Sequence, residues 1–238
     1  MNKMENIKGV LFDFGGTIDT NGIHWSEMIW MAYESNKIGV KKNSYEKAYI
    51  FAERSLNTRG ILKTTTFYEM LIQKLNLQLQ FLVREKHLEN ISIETVAKQL
   101  VDTCYEKVKT TINIQKEILI YLKNKYKLGL VSNFYGNLKT VINEFDLQDI
   151  FSEILDSQLI GLRKPDPLLW KTAVKLLDLQ AEETVIVGDS YINDIAPAKY
   201  LDCKAIWIKG KSWHDQNQFE HFSADRIIYS LSELKTIL

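Results

Sequence analysis

The feature that most constrains the fold is Val10-Leu11-Phe12-Asp13-Phe14-Gly15-Gly16-Thr17, an apolar run that ends on a carboxylate and breaks at once into paired glycines. The apolar residues before Asp13 suit a strand covered on both faces, and Gly15 and Gly16 permit turns and close ligand approach that a Cβ would block. Asp13 is therefore expected at the carboxyl end of a parallel strand, where open α/β sheets gather their chemistry. The segment alone leaves three roles open for Asp13: nucleophile, metal ligand, or turn residue before glycine.

Further strand runs are read at 128–131, 153–155, 184–187, 205–208 and 226–228, with helical patterns at 138–145, 168–177, 192–200 and 231–238 between and after them. Such alternation predicts an α/β fold, a Rossmann-like parallel sheet with helices on both faces. The stretch from 25 to about 110 holds helical patterns and no convincing strand. Its clearest helix follows Ser92 as N-cap and places Ile93, Val96, Ala97, Leu100, Val101, Cys104, Tyr105 and Val108 on one stripe. Thr65 or Thr66 is expected to cap a second helix, and Asn43 or Ser44 a third; the segment around Trp25 to Tyr33 supplies a fourth. An all-helical unit, 21–110, is thus expected to interrupt a core built from 1–20 and 111–238.

Thirty basic and thirty acidic residues in 238 give a formal net charge of zero, so no overall field favours nucleic acid or an acidic membrane. The polar start of the chain and the lack of a long apolar run predict a cytoplasmic protein. Cys104 and Cys203, far apart, are expected to be structural. Oligomeric state is left open.

Four polar clusters fall at or beyond the carboxyl ends of the strands: Asp13 to Thr17, Ser132-Asn133, Lys164 in Arg163-Lys164-Pro165-Asp166-Pro167, and Gly188-Asp189-Ser190 with Asp194. Together they could supply the parts of a phosphoryl-transfer centre: a nucleophile, donors for phosphate oxygens, a cation and carboxylates for a metal. Asp13 is the candidate nucleophile. Thr17, Ser132, Asn133 and the Gly16 amide are candidate phosphate donors, and Lys164 a point charge against Asp13 and phosphate. Asp189 and Asp194 suit a hard ion such as Mg2+. Each cluster also has a plainer reading: Ser132-Asn133 as a turn, Lys164 as a loop lysine, Asp189 as an N-cap and Asp194 as a solvated helix residue.

The ordered set Asp13, Ser132, Lys164 and Asp189/Asp194, with Gly161-Leu162-Arg163-Lys164-Pro165-Asp166-Pro167 and Val187-Gly188-Asp189-Ser190, resembles the haloacid dehalogenase superfamily, most of all its phosphatase-rich branch, over nearly the whole chain. The resemblance implies a Mg2+-dependent hydrolase of a small phosphorylated molecule acting through an aspartyl phosphate at Asp13. It also implies that 21–110 is a cap that closes over the site. In that family the residue two after the nucleophile is an aspartate serving as acid and base; here it is Gly15, whose backbone carbonyl is the implied metal ligand. Asp19 and His24 are candidate surrogates for the missing side chain. Two alternatives accompany this reading. One is phosphonate cleavage with a Schiff-base lysine from Lys37, Lys41, Lys42, Lys47 or Lys63; the other is a weakly active metal- or phosphate-binding regulator.

Overall fold

The computed structural model describes residues 3–212 and 224–238. Six strands, β1 (Gly9–Phe12), β2 (Lys127–Ser132), β3 (Glu153–Asp156), β4 (Thr184–Gly188), β5 (Lys204–Ile208) and β6 (Arg226–Ile228), form one sheet in the order β3-β2-β1-β4-β5-β6. Every pairing is parallel, and β1 lies between β2 and β4 with Phe12 level with Leu130 and Val187. The chain moves outward from β1 to β3 and returns on the other side at β4. Strand order therefore reverses at β1, and this is where such sheets open a crevice at their carboxyl ends.

Period-two alternation sorts the strand side chains. Val10, Phe12, Leu128, Leu130, Val185 and Val187 join one buried cluster with the helical insertion and the last helix. Leu11, Val131, Leu155, Ile186 and Trp207 join another with Leu169, Trp170 and Ala173 of the helix Pro167–Leu176 and with Ala198. Nearly continuous apolar strands are thus buried on both faces, as a parallel sheet requires.

Between β1 and β2 run four helices, α1 (Trp25–Ser35), α2 (Lys42–Arg59), α3 (Phe67–Arg84) and α4 (Ile93–Lys123). Ser92 caps α4 through the Thr95 amide, and Thr66 caps α3 in a reciprocal capping box with Glu69. The start of α2 differs from expectation: it is Lys41, with no side-chain cap, rather than Asn43 or Ser44. Tyr45, fully buried and donating from its hydroxyl to the Ser26 carbonyl at 2.5 Å, anchors that turn instead. A second difference lies at the end of the insertion. α4 runs unbroken for 31 residues through 110/111, because its buried stripe continues through Ile112, Ile118, Leu119 and Leu122, with Gln115 among them donating to Asn21.

The expected helix at 192–200 is two pieces, a π-helical turn over Tyr191–Ile195 and a short α-helix over Ala196–Tyr200. Pro197 has no N–H to give to the carbonyl of Asn193, and the indole Nε1–H of Trp170 donates to that carbonyl at 3.0 Å. Among the described residues no helix is long and apolar enough to cross a membrane.

Candidate active site

Asp13 leaves β1 with its amide still donating to the Val187 carbonyl at 2.9 Å, which holds the carboxylate at the crevice. The chain then folds back tightly, with the amides of Thr17, Ile18 and Asp19 all directed at the Phe14 carbonyl. Gly16 carries φ +96°, and a Cβ there would lie 2.4 Å from Asp189 Oδ2, so only glycine lets the loop approach that acid. Gly15 differs in kind. A Cβ on it would meet nothing nearer than Trp25 Cδ1 at 3.6 Å, an ordinary contact.

Lys164 reaches the same point from the connection that precedes the helix Pro167–Leu176. Its Nζ donates to Asp13 Oδ1 at 2.5 Å, to Asp194 Oδ1 at 2.8 Å and to the Val131 carbonyl at 3.3 Å, and it lies 5.0 Å from the centre of the Trp170 ring. Burial pulls this ammonium's pKa down, but the charges of Asp13 and Asp194 more than offset it, and the pKa stands above the ordinary lysine value. Thr17 Oγ1 donates to Asp13 Oδ2 at 3.1 Å and lies 3.3 Å from Asp189 Oδ1. Asn133 lines the cavity and is bonded to the Lys164 backbone: its Oδ1 accepts from the Lys164 amide at 2.9 Å and its Nδ2 donates to the Lys164 carbonyl at 3.0 Å. Ser132, buried at the end of β2, lines the cavity beside it.

Asp13, Asp189 and Asp194 present carboxylate oxygens within 4.8 Å of one another, all buried. Asp194 is not the solvated helix residue of the plainer reading, and Ser190, not Asp189, caps the turn that carries it. Its Oδ2 accepts from the Ser190 amide at 3.0 Å. Burial raises the Asp194 carboxyl to about 6 with a further push from Asp13, against the opposing charge of Lys164. Burial, then the charges of Asp13 and Asp194, pushes Asp189 well above the usual carboxylate range. Three buried acids facing one ammonium are an excess of negative charge, and their hard oxygen donors fit a divalent cation such as Mg2+.

The two candidate surrogates part company. Asp19 is fully buried, with Oδ1 accepting from the Gly16 amide and Oδ2 from the Trp25 indole N–H, each at 2.7 Å. It braces the glycine loop and does not line the cavity, although burial raises its carboxyl to about 7. His24 does line the cavity, as does Gly15. It also caps α1, with Nδ1 accepting from the Ser26 amide at 3.2 Å, which leaves the proton of the neutral ring on Nε2.

The cavity, about 150 Å³, has a second polar end that the sequence reading did not single out. Lys74 of α3 pairs with Glu53 of α2 at 2.6 Å, and the Tyr135 hydroxyl, from the loop after β2, donates to the other Glu53 oxygen at 2.5 Å. A signal was present: Lys74 interrupts the apolar stripe Phe67, Met70, Leu71, Leu75. The lysines weighed for a Schiff base, Lys37, Lys41, Lys42, Lys47 and Lys63, do not line the cavity.

The sequence profile of the haloacid dehalogenase-like hydrolases matches residues 10–208, from the strand before Asp13 to the end of β5. The chain belongs to that family. Among curated relatives of this hydrolase are a glyceraldehyde 3-phosphate phosphatase of Pyrococcus furiosus, 31% identical over 128 residues that make up 52% of each chain, and a haloacid dehalogenase-like hydrolase domain-containing protein 3 of Mus musculus, 28% identical over 112 residues, 47% of this chain and 45% of that one. The match thus spans about half the length of these relatives. Solved structures share the fold of the whole hydrolase: the HAD-hydrolase YfnB of Bacillus subtilis, bound to magnesium, with TM-score 0.60 at 18% identity over 98% of both chains, and a HAD phosphatase of Thermococcus onnurineus, with TM-score 0.53 at 23% identity over 97% of both.

Proposed function

We propose that this haloacid dehalogenase-like hydrolase is a Mg2+-dependent phosphatase of a small phosphorylated metabolite, with Asp13 as nucleophile. The observation that carries the reading is the buried convergence of Asp13, Lys164, Asp189 and Asp194 at the sheet's reversal point. The phosphatase names of the archaeal relatives and the small cavity agree with it.

In this mechanism an Asp13 oxygen attacks phosphorus in line with the ester oxygen. The new O–P bond forms as the P–O bond to the leaving group breaks, giving an aspartyl phosphate. Lys164 orients Asp13 and with Ser132 stabilises charge on the equatorial oxygens, whereas the Gly16 amide, expected as a phosphate donor, already donates to Asp19. Asp13, Asp189, Asp194 and the Gly15 carbonyl are the residues that would hold Mg2+, which when bound would neutralise charge on the phosphoryl oxygens. Water then attacks phosphorus as the Asp13 O–P bond breaks, which releases inorganic phosphate and regenerates the Asp13 carboxylate. Gly15 has no side chain to protonate the leaving oxygen or deprotonate that water, and a positioned acid/base contributes ~100- to 10,000-fold. Turnover of unactivated esters is therefore slow unless His24 takes this part, and good leaving groups such as acyl phosphates react best. Residues 21–110 act as a cap over the core formed by 1–20 and 111–238, excluding water from the site.

Phosphonate cleavage fits less well, because a Schiff-base lysine needs a depressed pKa, and Glu53 keeps Lys74 above the ordinary value despite burial. The test is acid-quench trapping of phosphoenzyme from labelled acetyl phosphate and Mg2+. Label that requires Mg2+ and disappears in Asp13→Asn is the expected result. Absence of both label and released phosphate would instead favour a binding or regulatory role.

A further inference from the structure

We propose that Lys74, Glu53 and Tyr135 form a subsite that selects phosphate monoesters with a neutral, hydroxyl-bearing tail and rejects tails carrying a second negative charge. This rests on the phosphatase reading of the same cavity and adds the substrate class. The cavity has two polar ends, and the acids and Lys164 occupy one of them. At the other, Lys74 is 6% exposed and its partner Glu53 26% exposed, both at side-chain level.

Charge decides what such an end can bind. A lone buried ammonium would be an anion site, but Glu53 at 2.6 Å cancels it. The rings of Tyr135, Trp25 and Tyr49, with centres 5.4, 5.9 and 6.0 Å from Lys74 Nζ, offset the cation further. Burial alone would raise the Glu53 carboxyl, yet Lys74 and the Tyr135 hydroxyl hold it below its usual range, so both partners stay ionised at neutral pH. An incoming carboxylate or second phosphate would meet Glu53 as a like charge in a poorly hydrated space.

Hydrogen bonding favours a hydroxyl. The Lys74 ammonium has three donors, one directed at Glu53 and one toward the Tyr135 hydroxyl, which leaves a third, and the Glu53 oxygens, engaged by Lys74, Tyr135 and Tyr49, still keep a lone pair. A hydroxyl, donor and acceptor at once, can use both neighbours. A purely accepting carboxylate uses only Lys74 and leaves Glu53 opposed to it.

The experiment compares two substrates with one carbon skeleton, glycerol 3-phosphate and 3-phosphoglycerate, which differ in a terminal hydroxymethyl against a carboxylate. Wild-type kcat/KM is expected to favour glycerol 3-phosphate by about tenfold or more. Glu53→Gln, which frees the Lys74 charge, should shift the ratio toward 3-phosphoglycerate by a similar factor, and Lys74→Met should weaken both. Equal handling of the two by the wild type, or a ratio unmoved by Glu53→Gln, overturns the subsite while leaving the phosphatase reading intact. Calorimetric binding of both compounds to Asp13→Asn with Mg2+ separates the two claims. The same preference in binding without any wild-type turnover would retain the subsite and sink the phosphatase, whereas binding of neither compound would overturn the subsite. Should Glu53→Gln not fold, the wild-type ratio and the binding preference still decide.

Discussion

Two adjacent glycines in the loop after Asp13 are there for opposite reasons. Gly16 is dictated by geometry: its φ is +96° and a Cβ would sit 2.4 Å from Asp189. Gly16→Ala should therefore cost about 1–3 kcal/mol in urea unfolding and displace Asp189. Gly15 has room for a side chain, with Trp25 at ordinary contact distance. Gly15→Asp should fold normally and raise kcat for an unactivated phosphomonoester, up to ~100-fold or more if the missing acid/base is the limitation. Unchanged kcat with normal stability would mean that another group already moves the proton. The acids of the site were legible because a strand, an acid and a glycine turn leave a recognisable local trace. Asp19 was not. Its spacing after the loop suited a surrogate base, and only the bonds from Gly16 and Trp25 show that it faces inward.

At the scale of elements, the six strands stand where apolar runs and turn residues predict them, because a strand buried on both faces leaves little room for another pattern. Helix ends were less legible. α4 passes through 110 without a break, although no strong propensity signal joins its halves. Its continuity implies that Thr110, exposed and in mid-helix, is a place where a proline cannot be absorbed. Thr110→Pro should lower unfolding free energy by ~3 kcal/mol or more, and Thr110→Ala should be within about 0.5 kcal/mol of wild type. A benign proline there would show that the helical insertion and the sheet domain are mechanically separable at that point.

Over the whole molecule, the helical insertion and one face of the sheet share a buried cluster, and the cavity lies where they meet. The charge gathered there has a consequence for stability. Asp194, raised by burial to about 6, and Asp189, pushed by burial well above its ordinary value, keep protons in the folded chain that the unfolded chain has lost above its ordinary carboxylate pKa. Their contribution to stability therefore falls as pH rises from about 4 through 6 and beyond. A Mg2+ ion bound there as proposed would compete with those protons, so the rise in Tm on adding Mg2+ should be small at pH 5 and several degrees, roughly, at pH 7.5. An equal rise at both values would place the ion elsewhere.

By itself the sequence determined the parallel α/β sheet, the helical insertion after the first strand and the order in which the acids and Lys164 arrive, since each is written in local periodicity and turn chemistry. Only the tertiary structure decided that Lys74, Glu53 and Tyr135 face that centre across one cavity, that Asn133 serves the Lys164 backbone and that His24 rather than Asp19 lines the site. The reason is physical. Helical spacing says which residues share a stripe but not what the stripe meets, and Lys74 is joined to Lys164 only by the packing of α2 and α3 above the carboxyl end of the sheet.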